Sequence, residues 1–124
     1  MDYPSIREVK EQMCHIAQDF LIEMKSRDDP LNREQRSYEL PSGEIIEVSH
    51  DKRLSAAEII FNPSLASNSE LHSQPGISKL AVKAIEKCDS DLKINLYNNI
   101  VLCGGTTLMR GFKDRFESEV VQLA

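Results

Sequence analysis

Apolar residues recur at intervals of three and four along the opening stretch of the chain: Ile6, Val9, Met13, Ile16, Ala17 and Phe20. That period predicts one helix from Pro4 to about Lys25, with a buried stripe and a polar face carrying Arg7, Glu8, Lys10, Glu11 and Gln12. The charged stretch 26–36, broken by Pro30 and Asn32, reads as a surface loop. Alternation takes over at Ser37-Tyr38-Glu39-Leu40, and Pro41-Ser42-Gly43 supplies turn chemistry before Glu44-Ile45-Ile46-Glu47-Val48 returns. The pair predicts a small antiparallel hairpin. Between Ser49 and Phe61 a short helical piece is expected, capped by Ser55 and stopped by Asn62-Pro63-Ser64. Residues 65–76 turn to Ser, Asn, Glu, His, Gln and Pro and read as exposed loop.

Beyond the loop, Ile77, Leu80, Ala81, Ala84, Ile85 and Cys88 fall on one helical face, with Ser78 placed to cap it. Asp89 marks the N-cap of a further short helix, Ser90 to about Asn95, whose Leu92 and Leu96 would reach the same core. Ile100-Val101-Leu102 shows no polar alternation, the pattern of a strand buried on both faces. Gly104 and Gly105 permit positive φ and leave the backbone bare, and Thr106 and Thr107 add hydroxyls. After Gly111 a last helix is expected, with Phe112, Phe116, Val120 and Leu123 inside and Lys113, Asp114, Arg115, Glu117 and Glu119 outside. A strand, a glycine turn and a helix N-terminus in succession can receive a nucleotide, because free N–H groups and the helix dipole converge there. Alone, the same pattern also describes a plain tight connection, and Lys10 and Glu11 read as solvated charges.

Composition narrows the classes. With 124 residues and 40% hydrophobic content, the chain can build one modest core. A net charge of −5, scattered in sign, is not that of a protein that neutralises a phosphate backbone, so no nucleic-acid partner is expected. No window is apolar enough for a membrane span, and the charged N-terminus is unlike a signal peptide, which together suggest an intracellular protein. Cys14, Cys88 and Cys103 are odd in number, widely spaced and set among apolar residues, which argues against a disulfide framework. Cys14 and His15 are adjacent on the expected helix and would diverge too far to act as nucleophile and base. His72 has no second ligand at metal spacing, and no acid or nucleophile stands at a recognisable spacing from His15, His50 or His72.

Five blocks change the picture: Val9-Lys-Glu-Gln-Met-Cys14, Ser37-Tyr-Glu-Leu-Pro-Ser-Gly43, Ile60-Phe-Asn-Pro-Ser64, Lys87-Cys-Asp-Ser-Asp-Leu92 and Leu96-Tyr-Asn-Asn-Ile-Val-Leu-Cys-Gly-Gly-Thr-Thr107. In that order and at nearly that spacing they resemble actin, over about Ile6 to Ala124. The ending Thr107-Leu-Met-Arg-Gly-Phe-Lys-Asp-Arg115, with Ser118-Glu-Val120, is similar to the centractin type of actin-related protein, while Cys88-Asp89 and Asp19-Phe20 lean toward conventional actin.

The resemblance implies an α/β chain: a partial actin-like ATPase fold of the ribonuclease H-like kind, helix-rich with a small hairpin and a buried strand. Residues to about 74 would belong to an outer subdomain and residues from about 75 to an inner one. It implies ATP as cofactor, with Gly104, Gly105 and Thr106 in the adenosine-binding loop, Lys10 and Glu11 touching adenine and ribose, and Met109 lying against the purine. The family's phosphate hairpins, metal-coordinating acid and water-positioning residues are expected to precede Met1, so hydrolysis is not expected of this stretch by itself. Expected partners are actin-like subunits or an actin-related protein complex such as a motor adaptor or a chromatin-remodelling assembly. The expected setting is the cytoplasmic cytoskeleton, with the nucleus as the alternative. Residues 65–75 are longer and more polar than the family's apolar plug, which puts conventional filament contacts in question.

Overall fold

The structure, a computed structural model, describes residues 3–25 and 36–124. Most of the loop expected at 26–36 therefore lies outside the described residues. Among the described residues six α-helices and one hairpin follow in order: α1 (Tyr3–Met13), α2 (Phe20–Lys25), β1 (Arg36–Glu39), β2 (Ile45–Val48), α3 (His50–Glu58), α4 (Ile77–Glu86), α5 (Ser90–Asn98) and α6 (Phe112–Leu123). Among the described residues the sheet is β1 and β2 alone, antiparallel, with Arg36 opposite Val48 and Glu39 opposite Ile45. Gly43 turns the hairpin at φ 88°, as its sequence predicts. The hairpin is tied to α1 by a hydrogen bond between the Tyr38 hydroxyl and Glu8, which raises the tyrosine's pKa.

The single helix expected over 4–25 is two helices. The break at 14–19 has a tertiary cause: the Ile16 N–H donates to the Arg110 carbonyl at 2.8 Å, and the Ala17 carbonyl accepts from Arg115 Nη1 at 2.8 Å. Backbone groups that would have continued the helix are taken by the approach to α6. Ile16 and Ala17 are still buried, but from a segment that is not helical. Asp19 then restarts the helix: its Oδ1 accepts from the Ile22 N–H at 3.1 Å, while Glu23 Oε1 accepts from the Gln18 N–H at 3.0 Å.

Four further readings are corrected. The N-cap of α3 is Ser49, and Ser55 lies inside the helix. The N-cap of α4 is Gly76, which sits against the Phe61 carbonyl, and the Ile77 N–H donates to the Ile60 carbonyl at 3.0 Å. That anchoring turns Ser78 and Val82 inward and leaves Leu80 52% exposed. Third, α5 runs past Asn95 to Asn98 and packs through Lys93 and Tyr97, both bonded to Glu86, so Leu92 and Leu96 face outward. Finally, Ile100–Leu102 is no strand: no neighbouring strand pairs with it among the described residues, Ile100 and Leu102 lean on the core, and Val101 is 84% exposed.

The core gathers Ile16, Ala57, Phe61, Val82, Met109, Phe112, Phe116 and Val120. The rings of Phe61 and Phe112 meet at 5.3 Å and 52°, a tilted contact worth about 1 kcal/mol beyond the area it buries. The stripe of α6 is as predicted except at Leu123, which is exposed, and at Arg115, which is buried rather than solvated. No helix among the described residues is long and apolar enough to cross a membrane.

Candidate functional site

Gly104 adopts φ 97° and ψ 151°, a conformation that only glycine takes without strain, and a short 3-10 turn, Gly105–Leu108, follows. The Thr107 hydroxyl donates to the Gly104 carbonyl at 2.7 Å, and the Thr107 N–H donates to the same oxygen at 3.1 Å. These bonds fold the chain back and leave Gly104 uncovered, with no atom within 4 Å of where a Cβ would stand. Gly111 ends the turn at φ 86° and serves as the N-cap of α6. A side chain there would collide with the Ile16 carbonyl, so the turn and the segment after α1 fit only around glycine.

The end of α1 comes to this turn from far away in sequence. Lys10 Nζ donates to Thr106 Oγ1 at 3.3 Å, and a Cβ on Gly105 would stand 3.0 Å from Glu11 Oε1. Lys10, Glu11, Gly104, Gly105 and Thr106 are therefore neighbours. Met109 is not on the exposed side of the turn: it is 5% exposed and belongs to the core beneath. Its N–H donates to the Thr106 carbonyl at 3.2 Å, so its place is under the turn as a support.

The set presents a part-buried ammonium and hydroxyl beside an exposed carboxylate and bare glycine backbone. A nucleoside offers a ribose diol that donates to a carboxylate and a planar base that needs unobstructed backbone beside it, and both requirements fit Glu11 and Gly104–Gly105. No three of the His, Cys, Asp and Glu side chains gather as a metal site among the described residues.

Sequence reasoning missed a buried ion pair behind the turn. Arg115 Nη1 and Nη2 donate to the two Glu58 carboxylate oxygens at 2.9 and 2.6 Å, Nε donates to Glu119 at 2.8 Å, and the guanidinium lies 4.8 Å over the Phe61 ring. Burial disfavours the cation, but the bonds from Glu58 and Glu119 outweigh it and raise the pKa above its ordinary value. The available signal was an Arg directly before Phe116 and a Glu between Ala57 and Ile59, charges of opposite sign in apolar surroundings. Among the cysteines, Cys14 is partly buried with its thiol pKa raised by that burial, whereas Cys88 and Cys103 are exposed rather than in apolar surroundings. All three are free.

Comparison with known proteins agrees with the blocks on which the resemblance rests. Residues 3–124 match the actin family. The chain is also 33% identical over 119 residues to putative actin-29 from Dictyostelium discoideum, covering 96% of this chain and 30% of that relative. It thus spans under a third of the length of this curated relative. With almost its whole described length matched, the chain belongs to the actin family.

Proposed function

We propose that this chain supplies the adenosine side of a nucleotide cleft in an actin-like protein of the cytoplasmic cytoskeleton. The observation that supports it is the meeting of Lys10 and Glu11 with Gly105 and Thr106 across about a hundred residues of sequence, on an open glycine surface. In this reading Glu11 accepts from the ribose hydroxyls, and Gly104 and Gly105 lie along the base. Lys10 and Thr106 hold each other in place, and Met109 keeps the turn from sinking. Bound ATP with its divalent metal would supply the phosphoryl chemistry of the family. The groups assigned here only bind and orient, and the phosphate side is expected from other parts of a ribonuclease H-like lobe.

Isothermal titration of ATP against the chain should find binding weaker than about 1 μM, because the adenosine contacts act without a phosphate grip. Glu11→Ala should weaken it a further tenfold or so, the scale of one charge-assisted hydrogen bond. Sub-micromolar binding, or binding indifferent to Glu11→Ala, would overturn the assignment.

A second reading, a non-catalytic scaffold subunit of an actin-related assembly, is supported by residues 65–75. Residues 63–72 form two short 3-10 turns, Pro63–Leu65 and Ser69–Leu71, with Ser67, Asn68 and Glu70 exposed alongside Leu65 and Leu71, and His72 is bonded back to the Ala66 carbonyl at 2.6 Å. Sedimentation of the parent protein at ordinary salt separates the readings, since polymerisation contradicts a purely structural subunit.

A further inference from the structure

The stretch 100–102 has the side-chain pattern of a strand and a backbone that pairs with nothing. Ile100 and Leu102 pack against the core, Val101 and Cys103 are exposed, and Val101 is the most open of them at 84%. None of the N–H and C=O groups of Ile100, Val101 and Leu102 is hydrogen-bonded among the described residues. Their ladder positions are free to receive another strand. Between this segment and α6 runs a groove of about 490 Å³, lined by Tyr97, Ile100, Leu102, Phe116, Val120 and Val121. Val121 is itself 72% exposed, so apolar surface continues out of the groove.

Charge decides which partner fits. Open edges are commonly guarded by lysine or proline, but from Ile94 to Met109 no residue is charged and none is proline, in a chain of which 28% is charged. At a net charge of −5 two copies repel each other over most of their surfaces, and this uncharged stretch is where they can meet without that repulsion. The groove also carries one charge of each sign, Lys113 and Glu117, and neither is ion-paired among the described residues. Copies related by a twofold axis present these two charges to each other in opposite senses, so that cation meets anion twice. A short antiparallel strand is likewise complementary to itself, its central residue standing opposite its own copy.

We propose that the chain associates with a second copy of itself by antiparallel pairing of residues 100–102 across a twofold axis at Val101. Backbone bonds between the two segments supply the affinity, and Val101 of each copy covers Val101 of the other. Lys113 and Glu117 on the groove wall fix the orientation. The contact is short, which makes the association weak and reversible. The inference goes beyond the adenosine reading and does not rest on it, because it uses the apolar run before the glycine turn and not the turn.

Sedimentation velocity of the whole chain tests the pairing. The chain should sediment as a dimer at about 100 μM and as a 14.1 kDa monomer at about 1 μM. Val101→Lys alters a side chain that lies outside the core, so the fold should persist while the dissociation constant of the dimer rises by about tenfold or more, because two like charges then face each other. Leu92→Lys, at an equally apolar and 51% exposed position on α5, should leave that constant unchanged. Mixing the Val101→Lys chain with a Val101→Glu chain should restore dimers, since a register that sets residue 101 opposite itself brings the opposite charges together. The pairing is refuted by a monomer at about 100 μM, by an undiminished dimer in Val101→Lys, by an equal loss in Leu92→Lys, or by a Lys–Glu mixture that stays monomeric.

Discussion

The α6 core and the stretch 90–108 are equally apolar on paper and differ completely in burial. In α6 the i, i+4, i+8 series Phe112, Phe116 and Val120 meets Phe61, Ala57 and Val82, and all six are buried. Over 90–108 the residues Leu92, Ile94, Leu96, Val101 and Leu108 are exposed, and only Tyr97, Ile100 and Leu102 touch the core. The difference teaches that hydrophobic content does not choose the buried face; the elements available to pack against do. Helix α6 is enclosed by α3, α4 and the 14–19 segment, whereas α5 touches α4 along one edge.

The largest effect that can break this comparison is truncation in α6. Phe112→Ala empties a site only 1% exposed and should cost about 4 kcal/mol in chemical denaturation, a large part of the whole stability of a small domain. Val101→Ala, at 84% exposure, should change stability by less than about 0.5 kcal/mol. Similar costs at the two positions would mean that the 100–102 segment is as enclosed as α6.

Next in size is the ion pair that closes the same core. Arg115→Met leaves the Glu58 carboxylate, whose side chain is 4% exposed, without its two charged bonds, and should cost about 3 kcal/mol. Adding Glu58→Met should recover most of that loss, because the stranded charge is then gone. A double variant as weak as the single one would show that the pair stabilises by more than mutual neutralisation.

The smallest contrast lies between two glycines with nearly equal φ. Gly104→Ala meets open space, and only the backbone penalty applies, about 1–3 kcal/mol for φ 97° and ψ 151°. Gly111→Ala meets the smaller left-handed penalty of about 1 kcal/mol but must also displace the Ile16 carbonyl, so its thermal midpoint should fall further, by several degrees. Equal losses at the two sites would contradict the close seating of Ile16 on the turn.

What could be read from the sequence follows the same division. The hairpin, the last helix, the glycine turn and the family blocks depend on local chemistry: Gly43 at a turn, a four-residue aromatic repeat, paired glycines after an apolar run. The break after Met13 was hidden because it is caused by Arg110, Gly111 and Arg115, about a hundred residues away. The rotation of α4 was hidden for a similar reason, since Gly76 is held by the backbone of Phe61. Of the candidate site, Lys10, Glu11 and the glycines were identified through the resemblance, and α1 does bring them to one place. The resemblance also puts Met109 on the ligand side; in the structure it is 5% exposed and packs in the core beneath the turn, a place its flexible thioether suits equally well.

The central claim is that the α1 end and the glycine turn form one adenosine-binding surface. Mapping backbone amide shifts of the chain with millimolar adenosine tests it most directly, because the nucleoside carries no phosphate to bind elsewhere. The account predicts shifts concentrated at Lys10, Glu11, Gly104, Gly105 and Thr106, with Phe116 and Val120 silent. Shifts confined to the groove between Tyr97, Leu102 and Val121, or no shifts at all at saturating adenosine, would contradict it.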